Sequence, residues 1–302
     1  MIYDGLIFLE QHIKETIDSK LDRTGLLYRL HSRIKDKKSI NEKIQRKGYK
    51  YNGNLLQDII GVRIMTYFPE DIEILSDYFS SIFNIVSYKH DQPRINEFNP
   101  VRLNLVCKME NELLEEFEMW KSKYKESFRY VDSTFEIQIR TTLSEGWHEI
   151  EHTMRYKCKD EWQSLSSESR LLNGIHATLE TSDHTLFNLF EEIAYQHYKN
   201  KNWMGMLRNK YRLRFDIEPL SEEITTLLNH NRTLAKKLYK VNRNDIIYQL
   251  IQNQMGFHIT FNNIIYLINY LSIKNKSISQ ITPQEILNEF QNKISKDQSA
   301  VY

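Results

Sequence analysis

Residues 135–157 read FEIQIRTTLSEGWHEIEHTMRYK and form the most informative segment of the 302-residue chain. Apolar and polar residues alternate along its first part, in the order Phe135, Glu136, Ile137, Gln138, Ile139 and Arg140. This period of two predicts a half-buried strand, and the residues that follow predict a helix. The polar face of the strand carries a carboxylate, an amide and a guanidinium, beside a helix that is itself rich in charge. The combination favours the wall of a polar cleft.

A second stretch, Asp58-Ile-Ile-Gly-Val-Arg-Ile-Met, lies upstream. It predicts a strand from Ile60 to Tyr67 that begins just after an acid, with Gly61 allowing close backbone approach. An acid at the end of one central strand and Glu136 on another can bind one hard cation between them. Mg²⁺ favours such a pair, because water and phosphate oxygens complete its octahedron. The alternative is that Asp58 only caps a helix and Glu136 is only a solvated strand residue.

A third stretch is basic and precedes Asp58. Ser32-Arg-Ile-Lys-Asp-Lys-Lys-Ser-Ile is followed by Lys43, Arg46 and Lys47. The last three residues stand at i, i+3 and i+4, so they share one face of a predicted helix. Basic side chains beside a metal-binding carboxylate suit a polyphosphate, whose charge is matched by Arg forks and Lys point charges. The alternative is an ordinary solvated helix face.

In this order, the motifs SRIK, D..GVR and EIQIRT…W..IEH..RYK resemble the synthetase domain of the RelA/SpoT family. Members of this family are nucleotide pyrophosphokinases that make the alarmone (p)ppGpp. The resemblance covers roughly residues 27–157, and the fixed order of three motifs makes it specific. It implies an α+β fold in which a mixed β-sheet of nucleotidyltransferase type is flanked by helices. The implied reaction transfers the β,γ-pyrophosphate of ATP to a ribose 3′-hydroxyl.

The resemblance also implies a role for each matching residue. Asp58 and Glu136 correspond to the two catalytic acids and the ligands of Mg²⁺. The residues implied to bind ATP are all basic: Arg33, Lys35, Lys43, Arg46 and Arg63. Arg33 and Arg63 would sandwich the adenine, which suits a flat, delocalised cation. Gln138 and His152 would lie on the acceptor side.

One region departs from the family pattern. The family carries a loop close to G-Y-R-S-L-H, whose Tyr stacks on guanine, whereas residues 93–106 here read PRINEFNPVRLNLV. In the matching register Asn104 replaces the His and Pro100 replaces the Tyr. Three functions therefore stay open. The first is (p)ppGpp synthesis from GDP or GTP, and the second is toxin-like transfer to the tRNA 3′-CCA end or to an adenine nucleotide. The third is an inactive regulator that binds nucleotide or RNA.

A rival motif lies in the same helix, because residues 148–152 satisfy the zinc protease pattern H-E-x-x-H. Histidines at i and i+4 face the same way on a helix and could share a metal. We give this interpretation little weight, because the five residues fall inside the longer match and no third ligand follows at a persuasive spacing. His148 is then expected to be an exposed helix residue.

Composition limits the partners. The 41 basic and 40 acidic residues give a net charge of +1, so no global field favours DNA or a membrane surface. The expected partners are ATP, a GDP/GTP or tRNA acceptor, and either a second copy of the chain or a neutralising protein. Two cysteines and no signal-like start predict a reducing compartment, the cytoplasm. The most apolar late segment is too short to span a bilayer.

The pattern predicts two domains: a synthetase-like domain over residues 1–215 and an all-helical domain of unknown role over residues 216–302. Residues 2 to about 45 are expected to be helical. The second domain is expected to begin its first helix after an N-cap at Ser221. It also carries a basic run that includes one aromatic residue: Lys236, Lys237, Tyr239, Lys240 and Arg243. This run is either a solvated face or a contact for RNA phosphate.

Overall fold

The computed structural model describes residues 2–47, 55–90, 103–125 and 128–297. The strands are β1 Tyr28–Ile34, β2 Ile60–Thr66, β3 Ile85–His90, β4 Leu103–Lys108 and β5 Thr134–Thr141. The earlier helices are α1 Ile2–Asp22, α2 Lys37–Lys47, α3 Glu70–Ile82, α4 Asn111–Lys123, α5 Thr142–Glu151 and α6 Ser166–Lys199. The later helices are α7 Trp203–Tyr211, α8 Glu222–His230, α9 Arg232–Lys240, α10 Arg243–Gln252, α11 Phe261–Ile268, α12 Lys276–Ile281 and α13 Gln284–Asp297.

The five strands form one mixed sheet in the order β1-β2-β5-β4-β3. The central pair, β2 and β5, is parallel, and the other neighbours are antiparallel. The predicted α+β fold, with a mixed sheet, flanking helices and a helical C-terminal region, is confirmed. Strand β5 has the predicted alternation, because Phe135, Ile137 and Ile139 are fully buried. Its intervening polar residues lie on the opposite face.

The first forty-five residues differ from the prediction. We expected helices throughout, but Tyr28–Ile34 forms an edge strand that pairs with β2. Its sequence, YRLHSRI, places Tyr28, Leu30 and Ile34 on one face and charged residues on the other. This period of two outweighs the helical pattern of its neighbours, because pairing with β2 satisfies the backbone of the segment.

The chain divides into two compact units: Met1–Ser19 with Tyr28–His184, and Lys20–Leu27 with Thr185–Tyr302. The second unit therefore takes in residues 185–215, which the sequence prediction assigned to the first domain. Within the second unit, the hydroxyl oxygen of Ser221 accepts a hydrogen bond from the backbone N–H of Ile224, so the predicted N-cap is present. Across the described ranges, no helix combines the length and the apolar character that crossing a membrane requires.

Candidate active site

A polar pocket of about 280 Å³ lies in the first unit. It brings together most of the residues assigned from the sequence: Arg33, Lys35, Asp58, Arg63, Glu136, Gln138 and His152. Sheet register explains why they meet. Gly61 of β2 stands opposite Arg33 of β1 on one side and opposite Glu136 of β5 on the other. Three neighbouring strands thus place the guanidinium of Arg33, the backbone of Gly61 and the carboxylate of Glu136 in one row.

Gly61 leaves open space in that row. A Cβ placed on Gly61 would meet no atom within 4 Å. We expected Gly61 to allow a close approach of a neighbouring backbone. A side chain at this position would meet no neighbouring atom, so close packing is not the reason for a glycine here. Its missing side chain instead keeps the floor of the pocket flat between Arg33 and Glu136.

Asp58 is held by two lysines. Its Oδ2 atom accepts hydrogen bonds from Lys35 Nζ at 2.7 Å and from Lys43 Nζ at 2.5 Å. Burial raises the pKa of Asp58, but the two lysine hydrogen bonds outweigh burial, so the pKa lies below its ordinary value. The other carboxylate atom, Oδ1, is buried and has no hydrogen-bond partner among the described residues. A buried, unsatisfied carboxylate oxygen is suited to accept a cation or a donor from a ligand.

Glu136 is oriented by two side-chain amides. Asn104 Nδ2 donates to Oε1 at 3.0 Å, and Gln138 Nε2 donates to Oε2 at 2.7 Å. Within the described residues, no group of three or more His, Cys, Asp or Glu side chains is placed to hold a metal. Two acids in one pocket nevertheless fit Mg²⁺, which commonly takes one or two protein carboxylates and fills its shell with water and phosphate oxygens.

Arg63 is fixed by residues that sequence reasoning missed. Its Nε donates to Gln138 Oε1 at 3.1 Å, and its Nη1 donates to Glu145 Oε1 at 2.7 Å and also to Glu149. Glu145 is buried and also accepts from Arg140 Nη1 at 2.6 Å. Glu145 and Glu149 stand at i and i+4 on α5, and this shared helix face was the available signal.

The second arginine, Arg33, lines the same pocket while remaining exposed to solvent. Partial burial and the neighbouring guanidinium of Arg63 lower its pKa. The two cations repel each other, so an anionic or electron-rich ligand between or beside them would be stabilised. Lys157, which sequence reasoning had not assigned to the site, adds a further cation to the lining.

His152 lies at the start of a π-helical turn, His152–Tyr156, that continues α5. Burial, Lys157 and Arg33 lower the pKa of His152, so the ring is neutral at pH 7. His148, expected to be exposed, is buried and packs edge-on against Trp147 at a centroid distance of 5.5 Å. The two histidines have different surroundings, since only His152 lines the pocket. This arrangement does not support the zinc protease interpretation.

Three parts of the sequence-based site are not found in the pocket lining. Lys43 contacts Asp58 from α2 but does not line the pocket itself. The side chain of Arg46 lies outside the described part of the chain. Most of the candidate acceptor loop, residues 91–102, also lies outside the described residues, whereas Asn104 is placed in β4.

Residues 32–161 match the family model described as the region found in RelA/SpoT proteins. Over these residues, the resemblance to the RelA/SpoT family that the motifs indicated is confirmed. The prediction of a pyrophosphotransferase enzyme is confirmed at the level of this family. A comparison with curated proteins finds no match.

Several solved structures are similar to part of the chain. Small alarmone synthetase 1 from Bacillus subtilis is 22% identical over 63% of this chain and 97% of its own, with a TM-score of 0.48. Small alarmone synthetase 2 from the same organism is 21% identical over 64% and 100%, also with a TM-score of 0.48. A GTP pyrophosphokinase family protein from Streptococcus pneumoniae is 20% identical over 60% and 87%, with a TM-score of 0.47.

Proposed function

We propose that this protein is an ATP-dependent pyrophosphokinase that transfers the β,γ-pyrophosphate of ATP to the ribose 3′-hydroxyl of GDP or GTP. One observation carries the proposal: a single pocket joins two carboxylates, Asp58 and Glu136, to Arg33, Arg63 and Lys35. A polyphosphate needs cations for its charge, and transfer of its phosphoryl groups needs positioning and neutralisation more than covalent catalysis.

On the donor side, Lys35 and Lys43 bind the phosphates of ATP, and Arg46 is assigned to the same phosphates from the sequence resemblance alone. Both lysines contact Asp58. Phosphate oxygens would therefore compete with Asp58 for the two ammonium groups, which frees the carboxylate to face a cation. Arg33 and Arg63 stack on the adenine, and the hydrogen bonds that fix Arg63 hold its plane ready for this contact.

The chemical step joins the 3′-oxygen of the acceptor to the β-phosphorus of ATP. The bond between that phosphorus and the α,β-bridging oxygen breaks, and AMP leaves. Glu136 accepts the proton of the attacking hydroxyl, while its two amide partners keep the carboxylate aimed. Asp58 and Glu136 would hold Mg²⁺, which supplies charge neutralisation at the moving phosphates when bound. Gln138 and neutral His152 orient the acceptor ribose or base.

A second candidate has a specific observation in its favour. Asn104 occupies the position in β4 where the family pattern has a His, and it contacts Glu136 directly. A changed residue beside the catalytic acid favours a changed acceptor, such as the tRNA 3′-CCA end or an adenine nucleotide. A neutralising partner protein would suit that toxin-like activity. An inactive regulator is the least favoured reading, since both acids and the basic residues around them are retained.

A transfer assay distinguishes these readings. Purified protein, Mg²⁺ and γ-labelled ATP are offered GDP, GTP, unlabelled ATP and bulk tRNA separately. Label on GDP or GTP supports the proposal, and label only on tRNA or an adenine nucleotide supports the second candidate. Glu136→Gln should lose transfer while ATP binding, measured by calorimetry, stays within about threefold. No label on any acceptor would leave the regulatory reading.

A further inference from the structure

The second unit carries a cluster of three tyrosines from two helices. Tyr195 and Tyr198 come from the end of α6, and Tyr239 comes from α9. The rings of Tyr198 and Tyr239 stack at a centroid distance of 5.2 Å with an interplanar angle of 26°. Tyr195 lies 6.0 Å from Tyr239 and 6.3 Å from Tyr198. Tyr195 is exposed and the other two are half-buried, so the cluster reaches the surface.

Lysines lie over this cluster. Lys199 Nζ stands 4.4 Å from the ring centroid of Tyr195, and Lys210 Nζ stands 5.4 Å from that of Tyr239. Each distance lies within the range of a cation–π interaction. The rings and cations therefore form one surface in which flat apolar faces and positive charge alternate.

Helix α9 extends the positive charge. Its sequence, RTLAKKLYK, contains no acidic residue, and it buries Leu234, Ala235 and Leu238 on one face. The opposite face exposes only cations and a threonine: Arg232, Thr233, Lys236, Lys237 and Lys240. Arg243, which the sequence placed in this basic face, is instead buried and donates from Nε to the carbonyl of Tyr211 at 2.7 Å. Arg243 therefore provides a hydrogen bond to a backbone carbonyl inside the unit and is not available to a partner.

The cations of α9 are costly to the helix. Arg232, Lys236 and Lys240 follow one another at i+4 spacing, where like charges destabilise a helix by roughly 0.2–0.5 kcal/mol per pair. None of the three forms an ion pair with another residue in the described part of the chain. Fold stability therefore gives no reason for this row of charge, whereas an anionic partner would.

Acidic residues near the tyrosine cluster do not cancel the positive charge around it. Glu191 is bound by Lys210 Nζ at 2.9 Å and by Arg212 Nη1 at 2.7 Å, so two cations share its single charge. Glu192 is close enough to contribute, after burial, Glu191 and Tyr195, to the raised pKa of Tyr239. Tyr239 consequently stays a neutral phenol, with a hydroxyl able to donate a hydrogen bond.

We propose that this tyrosine–lysine surface, formed by Tyr195, Tyr198, Lys199, Lys236, Tyr239 and Lys240, binds single-stranded RNA. Unpaired bases stack on aromatic rings, and lysines beside the rings neutralise the phosphates between successive bases. The tyrosine hydroxyls provide hydrogen-bond partners for ribose 2′-hydroxyls. An acidic protein segment would use the lysines, but it has no flat bases to stack on the clustered rings. Binding here is independent of the transfer reaction proposed for the first unit.

The test measures the fluorescence anisotropy of a labelled, unstructured RNA of about 12 nucleotides titrated with the full-length protein. The double variant Lys236→Ala with Lys240→Ala should bind at least about fivefold more weakly and show a salt slope shallower by about 1.4. Its melting temperature should not fall, because Ala favours helix and the repulsion is removed. Tyr239→Ala should weaken binding by at least about fivefold, whereas Tyr239→Phe keeps the stacking ring and should bind nearly as wild type.

The matched control is Lys276→Ala, which removes an exposed lysine on α12 that is not one of the residues forming this surface. Its RNA affinity should equal that of the wild type, and Glu136→Gln should also bind RNA normally. The proposal is overturned if the wild type does not bind the RNA at low salt. It is also overturned if Lys276→Ala weakens binding as much as the α9 variant does, or if DNA or duplex RNA of the same sequence binds equally tightly.

Discussion

The side-chain amide of Asn104 donates a 3.0 Å hydrogen bond to Oε1 of Glu136, from β4 to the neighbouring strand β5. Gln138 donates to the other oxygen of the same carboxylate. Two neutral donors hold the acid without cancelling its charge, and each oxygen keeps a lone pair for a cation or a hydroxyl. Under the proposed function, Asn104 would therefore be a positioning residue for the acid assigned to catalysis.

Replacing Asn104 with Asp should lower kcat by about tenfold or more. The change keeps the shape of the side chain but sets a second negative charge against Glu136, which pushes the carboxylate from its position. Steady-state transfer with the best acceptor measures the effect. Asn84→Asp is the matched control, because Asn84 Nδ2 donates to exposed Glu110 Oε1 at the same 3.0 Å distance. If the Asn104→Asp variant has the same kcat as the Asn84→Asp control, Asn104 does not position Glu136.

Glu145 and Glu149 both contact Arg63, yet their substitutions should differ. Glu145 is buried between Arg63 and Arg140, so Glu145→Gln should destabilise the protein by about 2 kcal/mol or more. Glu149 is half-exposed, and Glu149→Gln should cost less than about 1 kcal/mol. Urea unfolding of the two variants gives the comparison. Equal losses of stability would show that the Arg63–Glu145–Arg140 group is not the stronger support.

Asp58 should make the free energy of unfolding depend on pH in the acid range. Its folded pKa lies below the ordinary value of 3.8, so its contribution is complete above that pH and is lost as the pH falls through the folded pKa. The difference in unfolding free energy between the wild type and Asp58→Asn should be constant from neutral pH to about 5 and shrink below 3.8. Asp160→Asn, which changes an exposed acid, should show no such trend. A constant Asp58→Asn difference at every pH would argue against the two-lysine contact.

The two cysteines should react differently with thiol reagents. Burial raises the pKa of Cys107 to about 12, whereas Cys158 is partly exposed. In the native protein about one cysteine per chain should therefore react quickly with the reagent, and the second should react only on unfolding. Cys158→Ser should abolish the fast phase of the reaction. Fast modification of Cys107 in the native state would contradict the burial of β4.

Short-range patterns predicted much of the fold and the pocket. The alternation in β5 identified its buried face, and the strand at residues 60–67 appears as Ile60–Thr66. Asp58 and Glu136 were proposed because each lies at or inside a strand with a clear pattern, whereas Arg63 was assigned through the family resemblance. The i, i+4 spacing of Glu145 and Glu149 indicated a shared helix face, but contacts across 82 and 86 residues meant that nothing local identified Arg63 as the partner of that face.

Other features depend on packing that the sequence does not encode locally. Edge strand β1 is recognised only through its pairing with β2, and His148 is buried because Trp147 packs on it. The predicted boundary after residue 215 also differs from the division of the structure into units. Residues 184 and 185 fall in different units but in one continuous helix, Ser166–Lys199, so periodicity gives no signal there.

The most direct test of the central claim is to identify every product formed from ATP in the presence of the accepted nucleotide. Phosphorus NMR or ion-exchange chromatography of the reaction should show AMP and a 3′-pyrophosphorylated acceptor rising in equal amounts. Both products should be absent with Glu136→Gln. Formation of ADP with either inorganic phosphate or a monophosphorylated acceptor would mean that the γ-phosphorus is attacked, and would contradict pyrophosphoryl transfer at this site.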